Sequence, residues 1–201
     1  HTTAWLRVDP EISSWIELFY YLLETFCRVG VITQAEQRNM KDLLFLTNKY
    51  ATVMQATPTV WNLLIQEGWE GKKGFKISTA GEELTARLGK ELIKRGSVFN
   101  LYGPTEATIY ATAVRVTEDN IGKFGIGKPL SHVTTLVLDR YKNPVLFGMK
   151  GTLYIGGTGV ARGYLNQEDL TKEKNNLNKL HNKEGSMSFE KDENFGNHLQ
   201  K

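Results

Sequence analysis

The 201 residues are 40% hydrophobic and 23% charged, the balance of a soluble α/β protein with enough apolar residues for one good core and no demand for a second. A formal net charge of +3 without a dense basic block argues against nucleic acid as a partner, and no apolar run reaches the length of a membrane span. The single cysteine, Cys27, cannot close an internal disulfide; in its apolar segment it reads as a buried thiol in a reducing compartment, with the cytoplasm as the default location. The start at His1 lacks the order of a signal peptide and reads as part of something longer.

In chain order, apolar residues at helical spacing over Ser14 to Arg28 predict a first helix, and Val29 to Thr33 a short strand. Ala35 to Tyr50 reads as a second helix carrying Met40, Leu43, Leu44 and Leu46 toward a core. Thr52 to Gln55 is β-rich and closes at Thr57-Pro58, after which Val60 to Glu67 reads as a helix. The unit then repeats, with a strand over Phe75 to Thr79, a turn at Ala80 to Glu83, and an amphipathic helix from Thr85 to Arg95 that Gly96 ends. Strand, helix, strand, helix, strand is the grammar of a parallel sheet with crossover helices.

After Ile109 the grammar changes. Thr112 to Thr117, Thr134 to Asp139 and Leu153 to Ile155 are strand-like and joined by Gly-rich turns without helices, which predicts an antiparallel, barrel-like subdomain. Gln167 to Lys174 begins as a helix, and the polar, apolar-poor remainder is expected to be disordered. The expected divisions are thus 1–111, 112–166 and 167–201.

The chemistry concentrates where the strand Val98 to Leu101 meets the breaker pair Gly103-Pro104. Ligands of open α/β sheets bind at the C-terminal ends of strands. Asn100 offers an amide for a base edge, Tyr102 a face for stacking, Thr105 a hydroxyl for a phosphate, and Glu106 a carboxylate for a hard cation such as Mg²⁺. An ordinary strand-to-loop turn with a solvated Glu fits the same residues.

Asn100-Leu101-Tyr102-Gly103-Pro104-Thr105-Glu106 resembles the N-x-Y-G-P-T-E motif of the adenylate-forming superfamily, and most of all its amino-acid-activating adenylation domains in nonribosomal peptide synthetases. A second stretch, Gly151 to Leu165, resembles the G-E-L-x-I-x-G-x-G-x-A-R-G-Y motif of the same family, with Thr152 in place of its Glu. The resemblance runs from about Ser14 to about Lys174 and implies part of an N-terminal lobe, parallel αβ layers followed by the antiparallel subdomain. The reaction it implies converts an amino acid and ATP into aminoacyl-adenylate and pyrophosphate, with ATP and Mg²⁺ as cofactors.

Carried over residue by residue, Asn100 would meet the adenine amino group and Tyr102 would stack on the ring. Thr105 would contact the α-phosphate and Glu106 would hold Mg²⁺, these two being the catalytic pair. Gly81, Glu82 and Glu83, in the A-G-E turn after Ala80, together with Leu101 and Gly103, would complete the nucleotide site. The substrate pocket would be lined by Ile12, Ser13, Ile16, Gln55, Ser78, Ala80, Leu101, Ile109 and Tyr110, which suits a medium-sized, mostly apolar side chain with one polar handle. The implied partners are a small amino or carboxylic acid and, in the parent enzyme, a carrier-protein (thiolation) domain.

Two departures stand out. Ile12 occupies the slot where the family's F-D-x-S motif places the Asp that holds the substrate amine. The family's phosphate loop, ribose-binding Asp and catalytic Lys have no match within these residues, so the chain alone is expected to be inactive. A piece of an acyl- or aryl-acid ligase, or a noncatalytic nucleotide-binding remnant, is the alternative. Gly68 to Gly74 lacks phosphate-loop spacing and reads as a helix-to-strand connection, and His132, His181 and His198 show no metal-ligand spacing.

Overall fold

The computed structural model describes residues 3–7, 28–32, 39–146, 148–174 and 187–191, with backbone only for the first two stretches and the last. The expected helix lies outside the described residues over 14–27, as do the pocket positions Ile12, Ser13 and Ile16, and its expected last residue, Arg28, instead begins a strand. Two compact units divide the chain, His1–Asn100 with Arg115–Gly122, and Leu101–Val114 with Lys123–Lys201. The changeovers fall at 100, 114 and 122.

The first unit is built on a parallel sheet. Strands β1 (Thr3–Arg7), β2 (Arg28–Ile32), β3 (Val53–Ala56), β4 (Lys76–Thr79) and β5 (Ser97–Tyr102, its last two residues belonging to the second unit) stand in the order β2-β1-β3-β4-β5. Between β2 and β3 runs α1 (Met40–Lys49), started by Asn39, whose side chain accepts from the Lys41 amide at 3.1 Å. Its Thr47 is buried and donates to the Met54 sulfur of β3 at 3.4 Å.

Helix α2 (Pro58–Gln66) connects β3 to β4 and starts two residues earlier than the apolar pattern implies, because Pro58 fills the first helical position, where no amide is needed. Trp61 and Leu64 on its buried face are fully inaccessible. Trp61 meets Trp69 with ring centres 5.1 Å apart, and Trp69 meets Phe75 edge-on at 5.3 Å. The Gly68 to Gly74 stretch therefore serves packing: Trp69 plugs the core, and Arg95 donates to its carbonyl at 2.9 Å. Helix α3 (Ala86–Ile93), capped by the Thr85 hydroxyl on the Leu88 amide, leads to β5.

The antiparallel strands follow. β6 (Thr112–Val116), whose first three residues belong to the second unit and last two to the first, pairs with β7 (Lys128–Pro129). β8 (Val133–Leu138) and β9 (Thr152–Gly157) pair with β10 (Met187–Lys191) in the order β10-β9-β8. These three strands form an open sheet, not a closed barrel, since closure takes about eight. Their core joins Ala107, Ala111, Ile126, Leu153 and Ile155, with Tyr102, Val133 and Val137 packed against it.

Helix α4 (Glu168–Lys174) follows as expected. Within the stretch expected to be disordered, 187–191 instead pairs with β9, a ladder made by backbone groups that needs little apolar content. No helix among the described residues is long and apolar enough to cross a membrane.

Candidate functional site

In the first unit, the ladder register decides which candidate side chains share a face. Gln55, Ser78 and Phe99 stand side by side on one face of β3, β4 and β5, and Ala56, Thr79 and Asn100 on the other. Thr79 and Asn100 are buried at the C-terminal end of the sheet, Asn100 with 7% of its surface left. The buried Oε1 of Gln55 and Oγ1 of Thr79 find no hydrogen-bond partner among the described residues. Such orphans are scarce in folded proteins and mark places where a water or ligand completes the bonding. Ser78 is anchored through its carbonyl, which accepts from the Trp61 indole at 3.1 Å.

The Ala80 to Glu83 turn leaves this sheet edge. Ala80 is buried, and Gly81 takes a left-handed φ of 85° that glycine adopts without strain. Glu82 Oε2 accepts from the Thr59 amide at 3.0 Å and from the Thr59 hydroxyl at 2.6 Å. The α2 cap position, Thr57, makes no side-chain capping bond, so Glu82 supplies that bond from the next connection. Glu83 is exposed.

In the second unit, the chain from Tyr102 folds back on itself. The Ala111 amide donates to the Tyr102 carbonyl at 2.8 Å, closing a loop whose tip is a single 3₁₀ turn, Thr105–Ala107. Gly103 is needed for close approach: a Cβ there would lie 2.4 Å from the Ile109 carbonyl oxygen. Thr108 and Ile109 then adopt φ values of 52° and 66°, a strained conformation for a β-branched pair. Thr105 is exposed and Glu106 half-buried, while Leu101, Ile109 and Tyr110 are partly covered.

The second glycine-rich stretch fastens this loop. The Ala161 amide donates to the Glu106 carbonyl at 2.7 Å, and the Thr108 hydroxyl donates to the Gly159 carbonyl at 2.5 Å. The Tyr164 hydroxyl donates to Glu106 Oε1 at 2.6 Å, a short charge-assisted bond. Tyr102 lies within the field of the same carboxylate. Burial first, and the Glu106 charge second, push its phenol up to about 12. Burial alone pushes Tyr110 up to about 12.

The family model described as AMP-binding enzyme matches residues 12–165, which include both motif stretches. This chain belongs to the AMP-binding enzyme family. A dimodular nonribosomal peptide synthase of Bacillus subtilis (strain 168) is 45% identical over 123 residues, covering 61% of this chain and 5% of that protein. The chain is also similar to a solved four-domain nonribosomal peptide synthetase bound to AMP and glycine, at a TM-score of 0.83 and 27% identity, over 95% of this chain and 14% of that one. At 17% identity and a TM-score of 0.76, the N-terminal subdomain of Klebsiella oxytoca NpsA shares the fold over 96% of this chain and 49% of its own. The fold is accordingly that of the N-terminal lobe of adenylate-forming enzymes, of which the chain holds a part.

Among the described residues, no three His, Cys, Asp or Glu side chains gather as a metal cage. A lone fixed carboxylate nevertheless fits Mg²⁺, which is commonly held by one or two carboxylates together with phosphate oxygens and water. The bond from Tyr164 to Glu106 spans 58 residues and is absent from the sequence reading. Its only sequence signal is the joint presence of the two motifs.

Proposed function

We propose that this chain is part of an amino-acid-activating adenylation domain of a nonribosomal peptide synthetase. One observation supports the reading: Tyr102, Thr105 and Glu106 follow one another within five residues in the family's order, and the Tyr164 hydroxyl holds the Glu106 carboxylate. In the reaction, a substrate carboxylate oxygen attacks the α-phosphorus of ATP. The new acyl–phosphate bond forms as the bond to the β-phosphate oxygen breaks, and pyrophosphate leaves.

Asn100 and the Ala80–Glu83 turn bind the adenine, with Tyr102 on its face. Thr105 donates to the α-phosphate, and Glu106 holds Mg²⁺, which when bound neutralises phosphate charge. The substrate side chain is read by Gln55, whose orphan Oε1 favours a group that can donate to it, alongside Ser78, Ala80, Leu101, Ile109 and Tyr110. In the parent synthetase the activated acid passes to a carrier-protein domain in the cytoplasm. These 201 residues alone bind nucleotide without turnover, because phosphate-clamping and lysine groups worth several decades of rate have no match in them.

Two measurements on the purified chain test this. Calorimetry is expected to show AMP binding that Tyr102→Ala weakens, and ATP–pyrophosphate exchange with the proteinogenic amino acids is expected to stay at the level of a Glu106→Ala control. Absence of AMP binding, or binding indifferent to Tyr102, refutes the reading. Ile12, standing where a carboxylate would receive the substrate ammonium, favours a second reading as a piece of an acyl- or aryl-acid ligase. Adenylate formation by the parent protein with acyl, aryl and amino acids separates the two.

A further inference from the structure

We propose that Tyr164 is a positioning residue for Glu106, holding its carboxylate in the one orientation that can take a divalent cation beside a bound triphosphate. The inference rests on the adenylation reading and extends it to a residue far along the chain. A carboxylate on a half-buried turn has free rotation about its side-chain torsions unless something fixes it, and a metal ligand that must be frozen at each binding event binds weakly. Here the Tyr164 hydroxyl takes Oε1 at 2.6 Å, which leaves the lone pairs of the second oxygen for a cation.

Tyr164 is itself held. Its amide donates to the Thr171 hydroxyl at 2.8 Å, and that hydroxyl donates to the Gln167 carbonyl at 2.9 Å, tying it to α4. Gly163, with φ of 147°, lies so close to Thr171 that a Cβ would sit 2.5 Å from its methyl carbon. The backbone of the same turn is secured separately by Ala161 on the Glu106 carbonyl. Removing the Tyr164 hydroxyl therefore frees the carboxylate while leaving the turn in place. That separation distinguishes positioning from mere support.

The test compares the full chain with Tyr164→Phe and Glu106→Gln. Mn²⁺ binding in the presence of ATP is read by electron paramagnetic resonance, and metal-free AMP binding by calorimetry. Glutamate ¹³Cδ resonances are also recorded, the Glu106 line being the one lost in Glu106→Gln. Tyr164→Phe is expected to weaken Mn²⁺ about tenfold while AMP affinity holds and the Glu106 line shifts. Wild-type Mn²⁺ affinity in Tyr164→Phe, with affinity lost in Glu106→Gln, overturns the proposal. So does an equal loss of AMP and Mn²⁺ binding, which would mark general loosening. If the wild-type chain takes up neither AMP nor Mn²⁺ with ATP, the adenylation reading fails and the metal role falls with it, even where the Glu106 line still moves.

Discussion

Gly103→Ala is the sharpest probe of the loop that carries Tyr102, Thr105 and Glu106. The added methyl would sit 2.4 Å from the Ile109 oxygen and 2.7 Å from both the Ala111 nitrogen and the Tyr110 Cα, all backbone atoms that no rotamer change can move. Relief requires the loop to open by roughly 1 Å, since carbon contacts are comfortable only near 3.5 Å. Such an opening stretches the bond from the Ala111 amide to the Tyr102 carbonyl, now 2.8 Å. Overpacking costs about 1–3 kcal/mol, and the lost bond about 0.5–1.5 kcal/mol more. Opposing this, Gly103 is outside the left-handed region, so alanine gains about 0.4–1 kcal/mol by restricting the unfolded chain. The steric term wins, for a net loss of about 0.5–4 kcal/mol. At a urea m-value of about 2 kcal/mol/M the midpoint falls by roughly 0.3–2 M. Hydrogen exchange at the Ala111 amide should accelerate in step. A wild-type midpoint together with an unchanged Ala111 exchange rate would refute the close-approach argument.

Glu82→Ala removes the carboxylate that Thr59 donates to and should lower stability by about 1 kcal/mol, read as a drop in denaturation midpoint, whereas a Thr57→Ala change should cost less because Thr57 makes no capping bond. Tyr102 and Tyr110 should be the late-titrating phenols in an alkaline absorbance titration. Both are raised from 10.0 to about 12 in the folded chain, so the unfolded chain releases these protons first. Their contribution to stability is complete below pH 10.0 and is lost as pH rises toward about 12. In Glu106→Gln the Tyr102 titration should fall but remain above 10.0, because burial is the larger cause and persists.

Much of the scaffold was legible because local signals and tertiary demands agree. Pro58 followed by Trp61 and Leu64 announces α2, and Thr85 with Leu92 announces α3, through cap chemistry and a buried stripe that the structure uses in the same way. Strand β1 had no such signal. Thr3–Arg7 is defined by partners on both sides, β2 and β3, and neither pairing is written in its own pattern. Strand β10 escaped notice for the same reason. Less legible is the Glu82 carboxylate, which takes up the Thr59 amide and hydroxyl at the start of α2, a bond across 23 residues. Only coordinates could show that Thr57 leaves that position open.

The pairing of the two long motifs has a physical cause beyond nucleotide chemistry. Thr108 and Ile109, in left-handed backbone, cost of order 1–3 kcal/mol each, which an isolated turn would escape by relaxing. Two bonds offset that strain from the second motif, one from the Thr108 hydroxyl to the Gly159 carbonyl and one from the Ala161 amide to the Glu106 carbonyl. A first motif without the second would thus keep its residues and lose their arrangement. A second motif without the first would have nothing to hold. Either stretch alone is only a composition, whereas the two together make a strained turn and the brace that keeps it bent, with the Glu106 carboxylate held by Tyr164.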